Sequence, residues 1–406
     1  MATFQKIRLK EICDRIDYGY TASASQNDVG PKFLRITDIV PSLINWEGVP
    51  QCEISKSDKI KYLLADGDIV IARTGATTGY AKCLKNPPES VFASYLVRFR
   101  INNSYDKRFV GHVIESNLYK EFVTRNLGGA AQPQANAQIL GSYELSIPDL
   151  PTQTRIASVL SAYDDLIENN EKRIKVLEEM AQLLYTEWFV KFKFPGHENV
   201  KMVDCGTEYG MIPDGWEVKP LSSFVKYISR GLTPKYDDQG ATKVINQKCI
   251  RNQRLSLDES RTQSKTISAE KLLYFGDILI NSTGVGTLGR VAQVYEQLHG
   301  YTADTHVTIV RPTSDDYIDF LGLAAFHHQS DFERLGAGAT GQTELSRDSI
   351  GSLKLVAPQY EIMEGFSQKV RASRMDAINL QNINQILGQT RDILMPQLVT
   401  GRREVN

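Results

Sequence analysis

The sequence contains a glycine string whose spacing could hold a cofactor. Gly284, Gly286 and Gly289 fit the G-x-G-x-x-G pattern that cradles a dinucleotide pyrophosphate. Such a site needs a helix that opens at the last glycine and an acidic residue about twenty positions further on. The segment after Gly289, RVAQVYEQ, alternates like a strand instead. We therefore interpret the glycines as part of a scaffold turn.

Two further strings imitate fragments of catalytic sites. Residues 86–88 (Asn-Pro-Pro) begin like the N-P-P-aromatic loop of amino-methyltransferases, but Glu89 stands where that loop has its stacking ring. Residues 213–219 (PDGWEVK) imitate a nuclease core. The two residues between its acidic side chains cannot span the two strands that such a metal site needs. Neither string predicts catalysis.

The histidines and cysteines do not predict a metal site. The six histidines show no cluster with ligand spacing, and the five cysteines are scattered along the chain. An odd number of dispersed cysteines is typical of reduced thiols rather than of a disulfide framework. The sequence thus predicts no metal and no catalytic residue, and we expect a chain that is not itself an enzyme.

The composition is that of an ordinary folded protein. The 406 residues exceed one typical domain of ~100–200 residues, and 41% of them are hydrophobic and 23% charged. No apolar run reaches the ~18 residues that a membrane helix needs. The first residues, MATFQKIRLKEI, lack the apolar core of a signal peptide. We expect a cytoplasmic protein of two or three domains.

The charge balance does not by itself indicate a nucleic-acid partner. The formal net charge is −1, whereas nucleic-acid binders are usually basic. Charges do cluster locally, because residues 230–254 include six basic and two acidic side chains. Any contact with nucleic acid must therefore come from such clusters.

The chain repeats itself with a period of about 210 residues. GDIVIARTGATTGYA (67–81) matches GDILINSTGVGTLGRV (276–291), and ILGSYELSIP (139–148) matches SIGSLKLVAP (349–358). Alternating runs such as DIVIA, YLVRFR and ELSIP predict short strands in each half, with a short helical segment after the middle strands. A period this long indicates a duplicated domain rather than a solenoid.

Each half ends in a long helix with a heptad pattern. Apolar residues recur at alternating steps of four and three, which keeps one seam facing a partner helix. The predicted seam residues are Ile156, Leu160, Ile167, Asn170, Ile174, Leu177, Leu184, Trp188, Phe366, Val370, Leu380, Asn384, Leu387 and Leu394. Two seams in one chain most simply pack on each other. Either orientation is open to the chain, and a twofold arrangement of two equal halves favours the antiparallel one.

An asparagine interrupts each seam. In an antiparallel pair centred near residues 172 and 382, Asn170 and Asn384 would face each other. Buried polar residues in coiled coils fix the register at some cost in stability. We hypothesise such a pair here; solvated asparagines on an imperfect seam are the alternative.

The whole chain resembles the specificity subunit of type I restriction–modification systems. The resemblance is carried by RIASVLSAYDDLIENNEKRIKVLEEMAQLLYTEWFVKFKFPGHE (155–198), by GMIPDGW (210–216) and by the GDIV and GDIL turns. The start of the second long helix, APQYEIMEGF (357–366), departs from the P-P-x-x-E-Q-like stretch that is usual in the family.

This resemblance implies an α+β (mixed α/β) fold. Two similar target recognition domains would be joined by two long antiparallel coiled-coil helices, in an internal pseudo-twofold repeat. The expected boundaries are 1–150 for the first recognition domain, 151–194 for the central helix, 195–358 for the linker and second recognition domain, and 359–400 for the C-terminal helix.

The resemblance also implies a function. The chain would be a non-catalytic subunit that reads a bipartite double-stranded DNA site, one domain per half-site. Two modification subunits, which bind S-adenosylmethionine and methylate adenine at N6, would dock on the helices. Restriction subunits would use ATP and Mg²⁺ to translocate and cleave DNA, and this chain would bind no cofactor. The alternatives are an autonomous DNA methyltransferase or nuclease, and a purely structural coiled-coil scaffold.

Long polar side chains on loops beside strand ends are the expected DNA contacts, because Arg and Lys reach guanine while Asn and Gln reach adenine. In the first domain these are Lys32, Arg35, Arg73, Thr74, Thr77, Lys82, Gln132 and Gln134. In the second domain they are Lys235, Lys243, Lys248, Arg251, Asn281, Ser282, Arg290 and Gln342. We expect most contacts to go to phosphates, which position the protein without specifying sequence.

Overall fold

The computed structural model describes residues 4–41, 43–127, 134–336 and 344–404. The chain divides into two compact units. The first unit comprises Met1–Asn170 with Ile383–Asn406, and the second comprises Glu171–Asn382. Each unit therefore includes one part of each long helix.

The first unit consists of short strands and short helices followed by a long helix. In chain order these are β1 (Gln5–Arg8), β2 (Cys13–Tyr18), β3 (Lys32–Leu34), α1 (Ile36–Ile39), α2 (Lys56–Tyr62), β4 (Asp68–Ala72), β5 (Ala81–Cys83), β6 (Ser90–Phe92), β7 (Leu96–Ile101), α3 (Lys107–Glu115), α4 (Asn117–Asn126), α5 (Ala137–Gly141), β8 (Glu144–Ile147) and α6 (Leu150–Tyr185), which continues into the second unit. The main sheet has the order β2-β7-β4-β5 with antiparallel neighbours. Strand β1 pairs with β8 antiparallel, and β3 pairs with β6 parallel.

Strand β4 is the centre of the first unit because both of its faces are covered. All five of its residues are buried. Ile69 and Ile71 pack into the cluster that includes residues of α3 and α4, while Val70 and Ala72 pack into a second cluster with Leu34. Successive side chains of a strand point to opposite faces, so an unbroken apolar run is what a strand covered on both faces requires.

The second unit repeats this plan. Its elements are β9 (Met202–Asp204), β10 (Met211–Pro213), β11 (Glu217–Pro220), β12 (Val225–Arg230), β13 (Thr242–Ile245), β14 (Ile250–Arg251), β15 (Arg254–Leu255), β16 (Arg261–Gln263), β17 (Ile278–Asn281), β18 (Val291–Gln293), β19 (Tyr301–Ala303), β20 (Val307–Pro312), α7 (Ile318–His327), α8 (Gln329–Gly336), α9 (Arg347–Ser352), β21 (Lys354–Ala357) and α10 (Tyr360–Val399), which continues into the first unit. The main sheet has the order β12-β20-β17-β18, again with antiparallel neighbours. A smaller sheet has the order β16-β13-β19, and β11 pairs with β21.

The duplication predicted from the sequence is confirmed. Strand orders β2-β7-β4-β5 and β12-β20-β17-β18 match element by element. The same ion pair also holds each sheet, since Arg100 bonds Asp68 in the first unit and Arg311 bonds Asp277 in the second. The mixed α/β fold class, with two similar domains and two long helices, is thus correct.

The short helical segment of each half is divided in two, which the sequence pattern did not predict. In the first unit Ser116 ends α3, and its hydroxyl accepts a hydrogen bond from the backbone N–H of Tyr119 in α4. In the second unit His328 lies between α7 and α8. A serine that caps the next helix stops the first one locally, although the apolar spacing continues across it.

The two long helices run antiparallel, as the first unit shows. Leu160 of α6 packs in one core with Leu394 and Leu398 of α10. Further along α6, Asp164 contacts Arg391, and Asn170 Nδ2 donates a hydrogen bond of 2.8 Å to Asn384 Oδ1. Residue numbers rise along α6 while those of their partners fall along α10, which is the antiparallel register.

The second unit shows the same direction. Ile174 packs with Ala377 and Leu380, and the rings of Trp188 and Phe366 lie 5.6 Å apart between centroids. The α-helical part of α6 begins at Leu150, so Pro151 lies inside its first turn. Proline is tolerated there because the first N–H groups of a helix have no intrahelical acceptor. After Tyr185 the chain continues as a π-helical turn, Thr186–Val190.

No helix in the described ranges combines the length and the apolar character needed to cross a membrane.

Candidate nucleic-acid interface

One end of the main sheet in each unit collects polar and aromatic side chains. Strands β2 and β4 end there, and β5 and β7 begin there. We name this surface the first loop edge, and it consists of Tyr18, Arg73, Tyr80, Tyr95 and Gln134. The equivalent surface of the other unit is the second loop edge, and it consists of Arg230, Arg290, His306 and Glu344.

Arg73 is the centre of the first loop edge. Its backbone N–H donates to the carbonyl of Tyr95 at 3.0 Å, and its Nε donates to the carbonyl of Ser94 at 3.2 Å. The guanidinium carbon lies 5.1 Å from the centroid of the Tyr18 ring. These contacts hold a planar cation in one orientation at the surface, which favours recognition of a planar partner.

A glycine turn positions the loop between Arg73 and Tyr80. Gly75 and Gly79 have φ values of 77° and 89°, a region that side chains disfavour. Thr78 Oγ1 donates to the carbonyl of Gly75 at 2.7 Å, and the N–H of Gly79 donates back to the carbonyl of Ala72 at 2.8 Å. These hydrogen bonds therefore fix the conformation of the turn, and with it the positions of its threonines and backbone groups.

The second loop edge has the same pattern of backbone hydrogen bonds and different side chains. The N–H of Ser282 donates to the carbonyl of His306 at 2.8 Å, as Arg73 does to Tyr95. Thr283 Oγ1 lies 2.7 Å from His306 Nδ1. The guanidinium of Arg230 lies 2.5 Å from a carboxylate oxygen of Glu344. This edge thus presents an ion pair and an imidazole where the first presents tyrosines and an amide.

The backbone hydrogen bonds of the two edges match one for one. The N–H of Ala135 donates to the carbonyl of Arg73 at 2.9 Å, and the N–H of Leu345 donates to that of Ser282 at 2.8 Å. Thr74 forms a bridge with Gln134, and Thr283 forms one with Glu344. The two edges are therefore equivalent positions of one scaffold.

Four of the residues predicted in the first domain lie together at this surface. They are Arg73, Thr74, Thr77 and Gln134, on or beside the glycine turn. Three others have their charges bound inside the unit instead. Lys32 Nζ donates to the carbonyl of Val49 at 2.8 Å, Arg35 bonds Asp38, and Lys82 lies 3.2 Å from Glu115.

The described residues among those predicted in the second domain divide three ways. Arg290 lies at the second loop edge, where its guanidinium donates to the carbonyl of Gly286 at 2.7 Å. Asn281 and Ser282 are 0% exposed, so as DNA contacts they are corrected here: both are packed beneath the edge. The exposed cations that are not among the named edge residues are Lys235, Lys243, Lys248 and Arg251. Gln132 and Gln342 lie outside the described residues.

Sequence reasoning missed several residues that the fold brings to the edges. Tyr18, Tyr80 and Tyr95 were not selected in the first unit, and Arg230 and His306 were not selected in the second. Tyr95 and His306 precede the matched strands β7 and β20, so aligning the two halves at those strands would have paired them.

No alternative chemistry is evident in the described ranges. Strand β18 begins just after Gly289, so the glycine string is a turn between β17 and β18, as expected. No group of three or more His, Cys, Asp or Glu side chains in these ranges could hold a metal. Burial raises the pKa of the Cys249 thiol to about 11 and that of Cys13 to about 12, which disfavours nucleophilic thiolates.

The fold defines a protein of two similar mixed α/β domains, and comparison with known proteins identifies its family. The type I restriction modification DNA specificity domain matches residues 1–179 and 213–389. The chain belongs to this family. Proteins of this kind recognise DNA and are non-catalytic, and this chain is accordingly a specificity subunit rather than an enzyme.

Curated relatives are specificity subunits of the same kind, and a solved structure shares the fold. The chain is 24% identical to the type I restriction enzyme MjaIX specificity subunit of Methanocaldococcus jannaschii, over 89% of this chain and 82% of that protein. It is also 24% identical to the HindI specificity subunit of Haemophilus influenzae, over 71% and 74%. The S subunit from M. genitalium shares the fold with a TM-score of 0.58 at 13% identity, over 100% and 97% of the two chains.

Proposed function

We propose that this chain selects a bipartite double-stranded DNA site, with one recognition domain per half-site. The observation that carries the proposal is the pair of loop edges, which have one backbone frame and different side chains. Residues 1–150 and 195–358 would form the two recognition domains. The helices at 151–194 and 359–400 would set the distance between half-sites.

The catalytic chemistry would belong to the partners. S-adenosylmethionine would bind to the modification subunit, which methylates adenine at N6. ATP and Mg²⁺ would bind to the restriction subunit, and this chain would bind none of them. The assembly would act on chromosomal DNA in the cytoplasm.

A methylome tests this function. The chain is expressed with the modification subunit of its own system in a host without adenine methylation, and N6-methyladenine is mapped genome-wide. We expect one new bipartite motif that disappears when this chain is omitted. Methylation that is unchanged without the chain would contradict the specificity role.

The two rival functions need separate measurements. S-adenosylmethionine binding to the isolated chain, measured by calorimetry, would favour an autonomous methyltransferase. Absence of any DNA binding by the chain with its modification subunit would favour a structural scaffold. We expect neither result.

The docking surface for the modification subunits is proposed from exposed apolar residues of the long helices. We name as the apolar stripes two separate pairs, Val176 with Leu183 and Ile386 with Ile393, which are 52%, 60%, 63% and 65% exposed. Val176 and Leu183 are one heptad apart on α6, and Ile386 and Ile393 are their equivalents on α10. Exposed apolar residues that occur at the same positions in both copies favour a partner that binds twice.

In the second unit the stripe faces away from the unit's own strands. Arg254 of β15 bonds Glu178 at 2.8 Å and Glu171 at 3.0 Å, so this side of α6 is covered by the unit itself. Val176 is two positions from Glu178, which is ~200° around a helix. The exposed side is thus available to a partner helix with an apolar face.

Stoichiometry tests the docking surface. Val176→Glu with Leu183→Glu should remove one of two modification subunits, and Ile386→Glu with Ile393→Glu should remove the other, as native mass spectrometry would show. Gln26→Glu with Asn27→Glu, which adds the same charge at exposed positions outside the long helices, is the matched control. Two bound copies in both stripe variants would contradict the assignment.

A further inference from the structure

We propose that the side chains which differ between the two loop edges read the bases of the two half-sites. This inference rests on the proposed function and names the residues that would determine specificity. The readers of one half-site are Tyr18, Arg73, Tyr80, Tyr95 and Gln134, and those of the other are Arg230, Arg290, His306 and Glu344.

The duplication provides an internal comparison of two domains on one scaffold. Where both copies keep the same residue, we interpret that residue as one that maintains the backbone structure common to the two domains. Asp68 and Asp277 are buried in equivalent strands and each is bonded by an arginine. Thr74 and Thr283 also match, and each lies in the bridge beside its glycine turn. A shared residue cannot distinguish two different half-sites.

The loop-edge positions behave in the opposite way. Tyr18 is replaced by Arg230 at the same register of the strand pair, since Tyr18 is opposite Val97 and Arg230 is opposite Thr308. Tyr95, 59% exposed, is replaced by the exposed His306. Backbone hydrogen bonds keep the backbone of the two loop edges the same, while their exposed side chains differ. Such positions are the ones at which sequence preference can differ between domains.

Gln134 and Glu344 illustrate the chemical contrast. Both are exposed and both adjoin the matched threonine of their unit. An amide can donate to and accept from adenine, whereas a carboxylate accepts from the amino group of cytosine. The two edges would therefore prefer different bases from the same position.

The two arginines are the strongest candidates for bidentate contacts. Arg73 is oriented by the Ser94 carbonyl and the Tyr18 ring, and Arg290 is oriented by the Gly286 carbonyl. In each case one nitrogen is bonded within the unit and the rest of the guanidinium fork can still donate. A fork held in this way matches the two acceptors of guanine in the major groove.

Methylomes of single variants test the inference. Arg73→Ala and Tyr95→Ala should relax base preference in one half-site only, and Arg290→Ala and His306→Ala should do so in the other. The expected loss of discrimination is about 5- to 150-fold at the affected base pair, the value of one good base contact. Lys56→Ala and Lys226→Ala, exposed cations of the same two units away from the edges, should leave the motif unchanged.

Arg73→Lys is measured beside Arg73→Ala, because it keeps the charge and lacks the fork. Relaxed preference with Arg73→Lys supports base reading even if Arg73→Ala is poorly folded. An unchanged motif in all the edge variants, with the wild-type motif still bipartite, would overturn this inference and leave the proposed function intact. A wild-type chain that yields no bipartite motif would instead overturn the proposed function itself.

Discussion

At the scale of single residues, the same charge pair holds both sheets but in different surroundings. Asp277 is 0% exposed, and Arg311 bonds its two oxygens at 2.7 and 2.8 Å. Asp68 is bonded by Arg100, and the buried Arg98 lies 3.8 Å away as a second cation. Removal of one cation should therefore be tolerated better in the first unit.

We expect Arg311→Met to lower the free energy of unfolding by about 3–5 kcal/mol, because it leaves a buried carboxylate without its cation. Arg100→Met should cost less, since Arg98, which also bonds Asp17, remains 3.8 Å from Asp68. Thermal or urea unfolding of the two variants measures the difference. Equal losses of unfolding free energy in the two variants would show that Arg98 does not take the place of Arg100 beside Asp68.

The buried imidazole of His112 should make stability depend on pH. Burial lowers the pKa of His112, although Asp164 and Glu115 act to raise it and Arg391 and Arg108 act to lower it. The folded state therefore holds this histidine neutral to lower pH than the unfolded chain, whose histidine titrates near ~6.5. Stability from this group is present above ~6.5 and is lost as the pH falls below it.

His112→Gln keeps a neutral polar side chain beside Ser161, which lies 3.2 Å from Nε2 in the native protein. We expect the fall in unfolding free energy between pH 7 and pH 5 to be shallower in this variant, as urea titrations at each pH would show. A slope identical to that of the wild type would mean that His112 does not contribute to the pH dependence of stability.

At the scale of elements, the long helices are aligned by polar residues as well as apolar ones. Asn170 and Asn384 bond each other within the seam, and Asn170 is 7% exposed. A buried amide that loses its partner costs about 1–3 kcal/mol, whereas replacing both by apolar groups can be nearly neutral. The pair should therefore show strong coupling.

Either single change, Asn170→Leu or Asn384→Leu, should lower the midpoint of thermal unfolding, and the double variant should recover most of the loss. A double-mutant cycle on unfolding free energies gives the coupling directly. Additive effects of the two changes would show that the amides do not depend on each other.

At the scale of the whole molecule, the first unit is completed by residues distant in the sequence. Leu394, Leu398 and Val399 of α10 pack in the core of the first unit with Ile156 and Leu160. The second unit is closed by its own part of both helices, including Trp188 and Phe366. The first unit is therefore not a contiguous segment of the chain, whereas the second comprises Glu171–Asn382 alone.

We expect Leu398→Ala, which removes a buried side chain, to destabilise the first unit by about 2–5 kcal/mol. Hydrogen exchange should speed up in β4 and stay unchanged in β17, since β17 belongs to the other unit. Equal acceleration in both strands would contradict the separate cores.

Much of this architecture was predictable because it depends on local patterns. The strands β4, β7, β17 and β20 follow from apolar alternation, and the helix seams follow from heptad spacing. The loop edges depend instead on which strand ends meet, which no local pattern specifies. Tyr18 and Tyr95, 77 positions apart, both contact Arg73 only because β2, β4 and β7 are neighbours.

Burial was the other feature that the sequence could not give. Asn281 and Ser282 follow the apolar run of β17 and look like a polar loop, yet both are covered. Asn281 Nδ2 donates to the carbonyls of Gln247 and Thr287, so its amide stabilises the backbone around β17. Only the tertiary fold distinguishes such a residue from an exposed reader.

The contribution of Leu394, Leu398 and Val399 to the first core has a consequence for biosynthesis. These residues leave the ribosome long after the strands with which they share a core. At ~5–20 residues per second, the N-terminal half waits on the order of tens of seconds with part of its apolar core uncovered. The nascent chain should therefore engage chaperones that hold exposed apolar segments until α10 has been synthesised.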